Sequence, residues 1–226
     1  MIVPTLAREW ALWRGGAQRV AGVDEVGMAC LAGPVVACAL VVKPYCRKIP
    51  GVRDSKTLSL QQRERLYGEI LKRAAAVGVG AASVTEINAI NILRASHLAM
   101  FRALKRVQPL DHALIDGREI CEIDLGPHTA IVDGDALSYA IASASIIAKV
   151  TRDRLMHKLA VRYPGYDWEH NVGYATRAHR QAIRERGLTP FHRAEFGTVK
   201  LMLLQPTTLD DLIANLETED TVAALA

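Results

Sequence analysis

An α/β fold is predicted for this chain of 226 residues by three observations. Short Val-rich runs alternate with stretches of helical period, and several runs end in acids beside glycine. Half of the residues are hydrophobic and 23% are charged, the balance of a chain that buries a sizeable core. The length gives one domain, or one with a small appendage.

The elements follow in order. Arg19 to Val26 and Gly33 to Val42 read as two paired strands around a Gly-containing turn. Asp54 to Lys56 forms a polar loop, after which Thr57 or Ser59 caps a helix running through QQRERLYGEILKRAAA. Val77 to Val84 is strand-like again. Thr85, with Asn88, opens a long helical stretch whose apolar face carries Ile87, Ile90, Ile92, Leu93, Leu98, Met100, Phe101 and Leu104. HALIDG and TAIVDGD are two further strands with acids at their exits. Ala136 to Tyr163, rich in Ala, Ser and Ile, is a helix packed closely on the sheet through small residues. Gly165 to Gly173 is loop-like, and Thr176 caps a basic helix that stops at Gly187 with Pro190 beyond it. Residues 1–18 form an N-terminal extension. Residues 201–226 form an acidic tail with a short helix at LDDLIANLE, started by Thr207 or Thr208.

Charge is unevenly spread. The stretch from Lys149 to Lys200 holds 11 Lys and Arg against 5 Asp and Glu, whereas the stretch from Leu201 to Ala226 has 5 acids and no Lys or Arg. The basic part either faces a polyanion or is a solvated helical surface. Cys30, Cys38, Cys46 and Cys121 show neither a CxxC pair nor close His partners, so they read as buried small hydrophobes. The nearly uncharged run Cys30 to Val42 is too short to span a bilayer. The N-terminus lacks the basic head and apolar run of an export signal, so a cytoplasmic location is expected.

Functional side chains of α/β sheets gather at strand ends. Here those ends carry Asp24 and Glu25, Asp116, and Asp133 with Asp135. Singly, each is an ordinary turn or cap residue. Together, without nearby cations, they would repel unless a metal sat between them, and oxygen-only donors suit Mg²⁺ or Mn²⁺ rather than zinc. Two such ions about 3.5–4 Å apart are the usual device for cutting a phosphodiester. Neighbours on a strand point to opposite faces, so either the strand bends at Asp24-Glu25 or one of the two contributes through a carbonyl or a water.

The segments GVDEVGMACLAGPVV, DSKTLS, LIDG, GDALSYAIASASIIAKVTRDRLM, YPGYDWEHNVGYAT and TPFHRAEFGTVK, in that order from about Val20 to Lys200, resemble bacterial ribonuclease HII, the type 2 ribonuclease H. The resemblance implies a ribonuclease H-like fold, a central mixed sheet flanked by helices with a C-terminal helical part, over residues 19–200. It implies endonucleolytic cleavage of the RNA strand of RNA–DNA hybrids, and nicking at ribonucleotides embedded in duplex DNA, leaving 5′-phosphate and 3′-hydroxyl ends. By the same resemblance Asp24, Glu25 and Asp116 are the principal ligands of Mn²⁺ or Mg²⁺, and Asp135 completes the site or assists the attacking water. Asp54, Ser55, Lys56 and Tyr174 match positions that contact nucleic acid. A tyrosine ring against a deoxyribose disfavours a 2′-hydroxyl there; without the resemblance, Tyr174 reads as a packed aromatic. A monomer with no obligate protein partner is implied.

Three places depart from the family pattern. Gly27-Met28-Ala29 stands where Gly-Arg-Gly is usual, in the loop that senses the ribose 2′-hydroxyl partly through backbone groups. A β-carbon at Ala29 is costly if that position needs positive φ. Asp133 and Val172 replace usual lysines, so the site rim is expected to be less positive. Cleavage of continuous hybrid is expected to survive, with reduced preference for a single-ribonucleotide junction. The alternative is a ribonuclease H-like protein that binds nucleic acid with weak or no cleavage; four intact acids argue against a pure phosphate binder. A glycosidase built on two carboxylates ranks far below both.

Overall fold

The computed structural model describes residues 3–204. Five strands, β1 (Val20–Val26), β2 (Val35–Val42), β3 (Ala76–Ala82), β4 (His112–Asp116) and β5 (His128–Ile131), form one sheet in the order β3-β2-β1-β4-β5. The expected hairpin is present: β1 and β2 pair antiparallel from Val20↔Val42 to Val26↔Val36, and β3 adds antiparallel to β2. On the other side β4 pairs parallel with β1, and β5 with β4. Every residue of β2 is buried, which explains its unbroken apolar run where a half-exposed strand would alternate.

Helices cover both faces. On one lie α2 (Leu60–Arg73) and the long α6 (Tyr139–Arg162), with α1 (Ala7–Arg14) at its margin. On the other lie α3 (Val84–Ile90) and α4 (Ile92–Lys105). A third cluster joins the end of α6 to α7 (Trp168–Asn171), α8 (Arg177–Arg186) and α9 (Gly197–Leu204). Small residues set the layer spacing. A β-carbon on Gly22 of β1 would stand 2.1 Å from the Ala140 carbonyl carbon of α6, and one on Gly80 of β3 would stand 2.1 Å from Ala99 O of α4.

Several boundaries differ from expectation, each for a local reason. Ser59, not Thr57, caps α2, with Gln62 returning the bond as a capping box. Ser83 and Glu86 form a second box, so β3 ends at Ala82 and α3 starts two residues earlier than Thr85 suggests. The helical stretch then breaks at Asn91, whose φ of 67° and side-chain bond to Arg94 N restart the chain as α4. A four-residue helix, α5 (Gly134–Leu137), precedes α6, and extended Ser138 between them caps α6. The presumed loop of 165–173 contains α7. The N-terminal stretch holds α1, tied down by fully buried Glu9, which accepts bonds from Ser138 Oγ at 2.6 Å and Ala140 N at 2.9 Å. Cys30 and Cys38 are buried as expected, but Cys46 is only partly so and Cys121 is exposed in the β4–β5 connection. The expected helix at LDDLIANLE lies outside the described residues.

Candidate active site

The acids assemble at one end of the sheet, where β1 passes from antiparallel pairing on one side to parallel pairing on the other. Parallel register runs from Val20↔His112 to Val23↔Ile115, so Asp24 and Asp116 come next on the two strands and stand side by side where β1 and β4 part. After β5 the chain turns at Asp133, in the left-handed region at φ 54°, into α5. There Gly134 N donates to Asp116 Oδ1 at 2.7 Å, locking the Asp135 turn to the end of β4. β1 stays paired through Val26, so the strand does not bend at the acids. Glu25 N nevertheless donates to Asp24 Oδ1 at 2.7 Å, and of the charges around the Glu25 carboxylate it is Asp116 that acts on it most strongly.

Electrostatics ties the four together. Burial, then the charges of Glu25 and Asp116, hold Asp24 well above the usual carboxylate range, while a Ser145 hydroxyl bond pulls the other way. Burial and then Asp116 raise Glu25 to about 7. Asp116 is raised by burial against the backbone bond from Gly134, and Asp135 by burial and then Asp54. Lys56, on the short 3₁₀ turn Ser55–Thr57, reaches Asp135 at 3.5 Å and is the cation that moderates Glu25, Asp116 and Asp135. Buried, mutually repelling oxygen donors with one lysine at the rim have the chemistry that suits a hard divalent cation. The tightest set of potential ligand atoms among the described residues lies elsewhere, at Asp167, Glu169 and His170 within 4.8 Å of one another. That group is a surface turn whose His170 bonds Asp167 at 2.6 Å; the strand-end acids are more widely set.

The remaining expected positions surround the acids unevenly. Asp54 accepts from Lys56 N at 2.9 Å and shapes its own turn. Ser55 is buried, its hydroxyl 2.9 Å from Ser145 Oγ, so it supports Asp24 from behind and does not face solvent. Lys56 is exposed. Tyr174 is 36% exposed, with the Lys149 ammonium 5.5 Å from its ring centroid. In the Gly27–Met28–Ala29 loop only Gly27 has positive φ, at 100°, so Ala29 carries no left-handed strain. Val172 does: its φ is 43°, unusual for a β-branched residue. Its side chain lies in the apolar cluster with Trp168 and Met156 and does not belong to the rim, contrary to expectation. Exposed Asp133 does belong there, and adds to the upward push on Asp116.

Two guanidiniums that sequence reasoning missed lie beneath this loop. Arg152 donates to Pro34 O, Val172 O and Ala32 O at 2.8–2.9 Å, and Arg193 to Gly33 O and Met28 O at 3.0–3.1 Å. Both are fully buried, and burial lowers Arg193 to about 10. They account for part of the basic stretch without facing a polyanion. The signal open to sequence reading was weak: Arg152 falls on the inner side of a helix already assigned to packing.

Carboxylates gathered where an α/β sheet changes from antiparallel to parallel pairing, under a ribonuclease H-like arrangement of helices, define a metal-dependent nuclease. Within that class the chain belongs to the ribonuclease HII family, which it matches over residues 21–199. It is 56% identical to ribonuclease HII of Thermosynechococcus vestitus over 85% of this chain and 90% of that one. It is 51% identical to ribonuclease HII of Ruegeria pomeroyi over 91% and 87%. Among solved structures it is similar to RNase HII of Archaeoglobus fulgidus, determined in complex with PCNA, with TM-score 0.67, 26% identity and coverage of 85% and 99%.

Proposed function

We propose that this chain hydrolyses the RNA strand of RNA–DNA hybrids, and cuts at ribonucleotides within duplex DNA, to leave 5′-phosphate and 3′-hydroxyl ends. The observation that carries this reading is the set of four acids from three separate stretches, in which the charges of Glu25, Asp116 and Asp135 all raise Asp24, with Lys56 as their neighbouring cation. Asp24, Glu25, Asp116 and Asp135 hold Mn²⁺ or Mg²⁺, as a pair during catalysis. When bound, such ions stabilise charge on the phosphate and the leaving 3′-oxygen and ready a water for attack.

The chain's own residues bind and orient the substrate. Gly134 N and Ser145 fix the Asp116 and Asp24 carboxylates in place. Lys56 offers a mobile positive charge to a backbone phosphate, with Asp54 and Ser55 shaping its turn. Gly27, Met28 and Ala29 present backbone groups to the scissile ribose other than the Met28 carbonyl, which Arg193 holds inward and which thereby anchors the loop. Tyr174 stacks against the sugar of the neighbouring deoxynucleotide. The protein acts as a monomer in the cytoplasm; no helix among the described residues is long and apolar enough to cross a membrane.

The test is cleavage of a labelled hybrid in Mg²⁺ and in Mn²⁺ by wild type and Asp116→Asn, with binding followed in parallel. Metal-dependent cleavage abolished by the substitution is expected. Wild type that binds hybrid yet leaves it intact in both metals would sink the reading.

A further inference from the structure

Behind Tyr174 lies a buried polar network that the reaction does not use directly. His179 Nδ1 is 2.9 Å from the Tyr174 carbonyl, which can only accept, so the proton sits on Nδ1. His179 Nε2 therefore accepts, and it receives Trp168 Nε1–H at 3.0 Å and lies 3.1 Å from His192 Nε2. His192 Nδ1 accepts the backbone N–H of Thr189 at 2.8 Å, which leaves its Nε2 as the donor to His179. One pair of tautomers is consistent with every contact, with the single lone pair of His179 Nε2 shared between the Trp168 and His192 donors.

The network sits at a junction. His179 and His192 are 0% and 2% exposed. His192 also bridges backbone to backbone with Ala32, and Tyr174 with Cys30, so the pair joins the α7–α8 turn to the loop that follows β1. The Tyr174 carbonyl is shared with Thr176 N at 2.8 Å, and Thr176 Oγ1 accepts from His179 N, so turn and helix cap close on one another. Packing alone would be served by apolar rings in this cluster; what the imidazoles add is direction at one carbonyl.

We propose that His179 is a positioning residue: in a fixed tautomer pair with His192 it holds the Tyr174 carbonyl, and so orients the phenol. It thereby governs how tightly hybrid is held and not the rate of the bond-breaking step. The proposal rests on the nuclease reading for its substrate, but its geometry is testable without one.

Ring-nitrogen NMR of ¹⁵N-labelled full-length protein should find His179 protonated at Nδ1 and His192 at Nε2; the opposite tautomers, or averaging between them, would overturn the proposal. This readout needs neither a variant nor activity, so it separates failure here from failure of the nuclease assignment. In steady-state cleavage of hybrid, His179→Gln, which keeps the Nε2 acceptor but not the donor to Tyr174, should raise KM about 5- to 30-fold with kcat within about twofold. His179→Asn, which retains a donor at the Nδ1 place, should recover most of that loss. In a Tyr174→Ala background His179→Gln should add less than about twofold. Equal impairment by Asn and Gln, a fall in kcat at unchanged KM, or full additivity with Tyr174→Ala would each reduce His179 to a packing residue.

Discussion

The ammonium of Lys56 stands 3.5 Å from the Asp135 carboxylate, on a side chain that is 78% exposed while its partner is 10% exposed. The pair is asymmetric: a solvated, movable cation faces a fixed acid. Such a bridge adds little stability, so its value lies in where it leaves the charge.

Lys56→Ala should therefore leave the melting temperature within about 2 °C and weaken hybrid binding. Loss of one phosphate contact predicts a log–log salt slope of binding flatter by roughly 0.7–0.9. An unchanged slope, measured by anisotropy over a salt series, would remove Lys56 from the nucleic-acid path.

The raised carboxylates set the pH dependence of the metal-free protein. A carboxyl whose pKa is higher folded than unfolded binds more protons in the native state, so its contribution favours folding at low pH and is lost as pH rises. For Glu25 that window runs from 4.5 to about 7. In chelator, Asp24→Asn should raise the melting temperature relative to wild type, by roughly 2–4 °C per kcal/mol of repulsion relieved, more at pH 8 than at pH 5. Added Mg²⁺ or Mn²⁺ should stabilise wild type and have a much smaller effect on the variant. A variant less stable than wild type in chelator at pH 8 would contradict the electrostatic account.

Arg193→Met keeps bulk but leaves the Met28 and Gly33 carbonyls without their donor. An orphaned buried acceptor costs about 1–3 kcal/mol, read as a lower urea midpoint. Relative to continuous hybrid, cleavage at a single embedded ribonucleotide should fall, because the loop that meets the 2′-hydroxyl loses its inward anchor. Equal loss on both substrates would show that the loop does not discriminate between them.

Local chemistry was legible in the sequence. Val-rich runs and Ser and Thr caps placed the strands and most helices, since each depends on neighbours in the chain; acids marked the strand ends, and the family resemblance chose Asp24, Glu25, Asp116 and Asp135 among them. What depended on distant partners was not. Arg152 and Arg193 look like surface cations until folding brings the carbonyls of Ala32, Gly33 and Pro34 to them. Val172 reads as a missing rim lysine, but its left-handed backbone turns it into the apolar cluster. The roles of Ser145 and His179 are likewise fixed only once Asp24 and Tyr174 are beside them.

At Gly22 a bare backbone faces Ala140, and Ser145 and Asp24 lie little more than a helical turn and two strand residues farther on. The distance between helix and strand is thus set without an intervening side chain. Gly22 acts as a gauge block for a pocket it never touches: thickening it by one methyl would carry the hydroxyl off its carboxylate, and inactivate the enzyme from a position that no survey of charged residues would select.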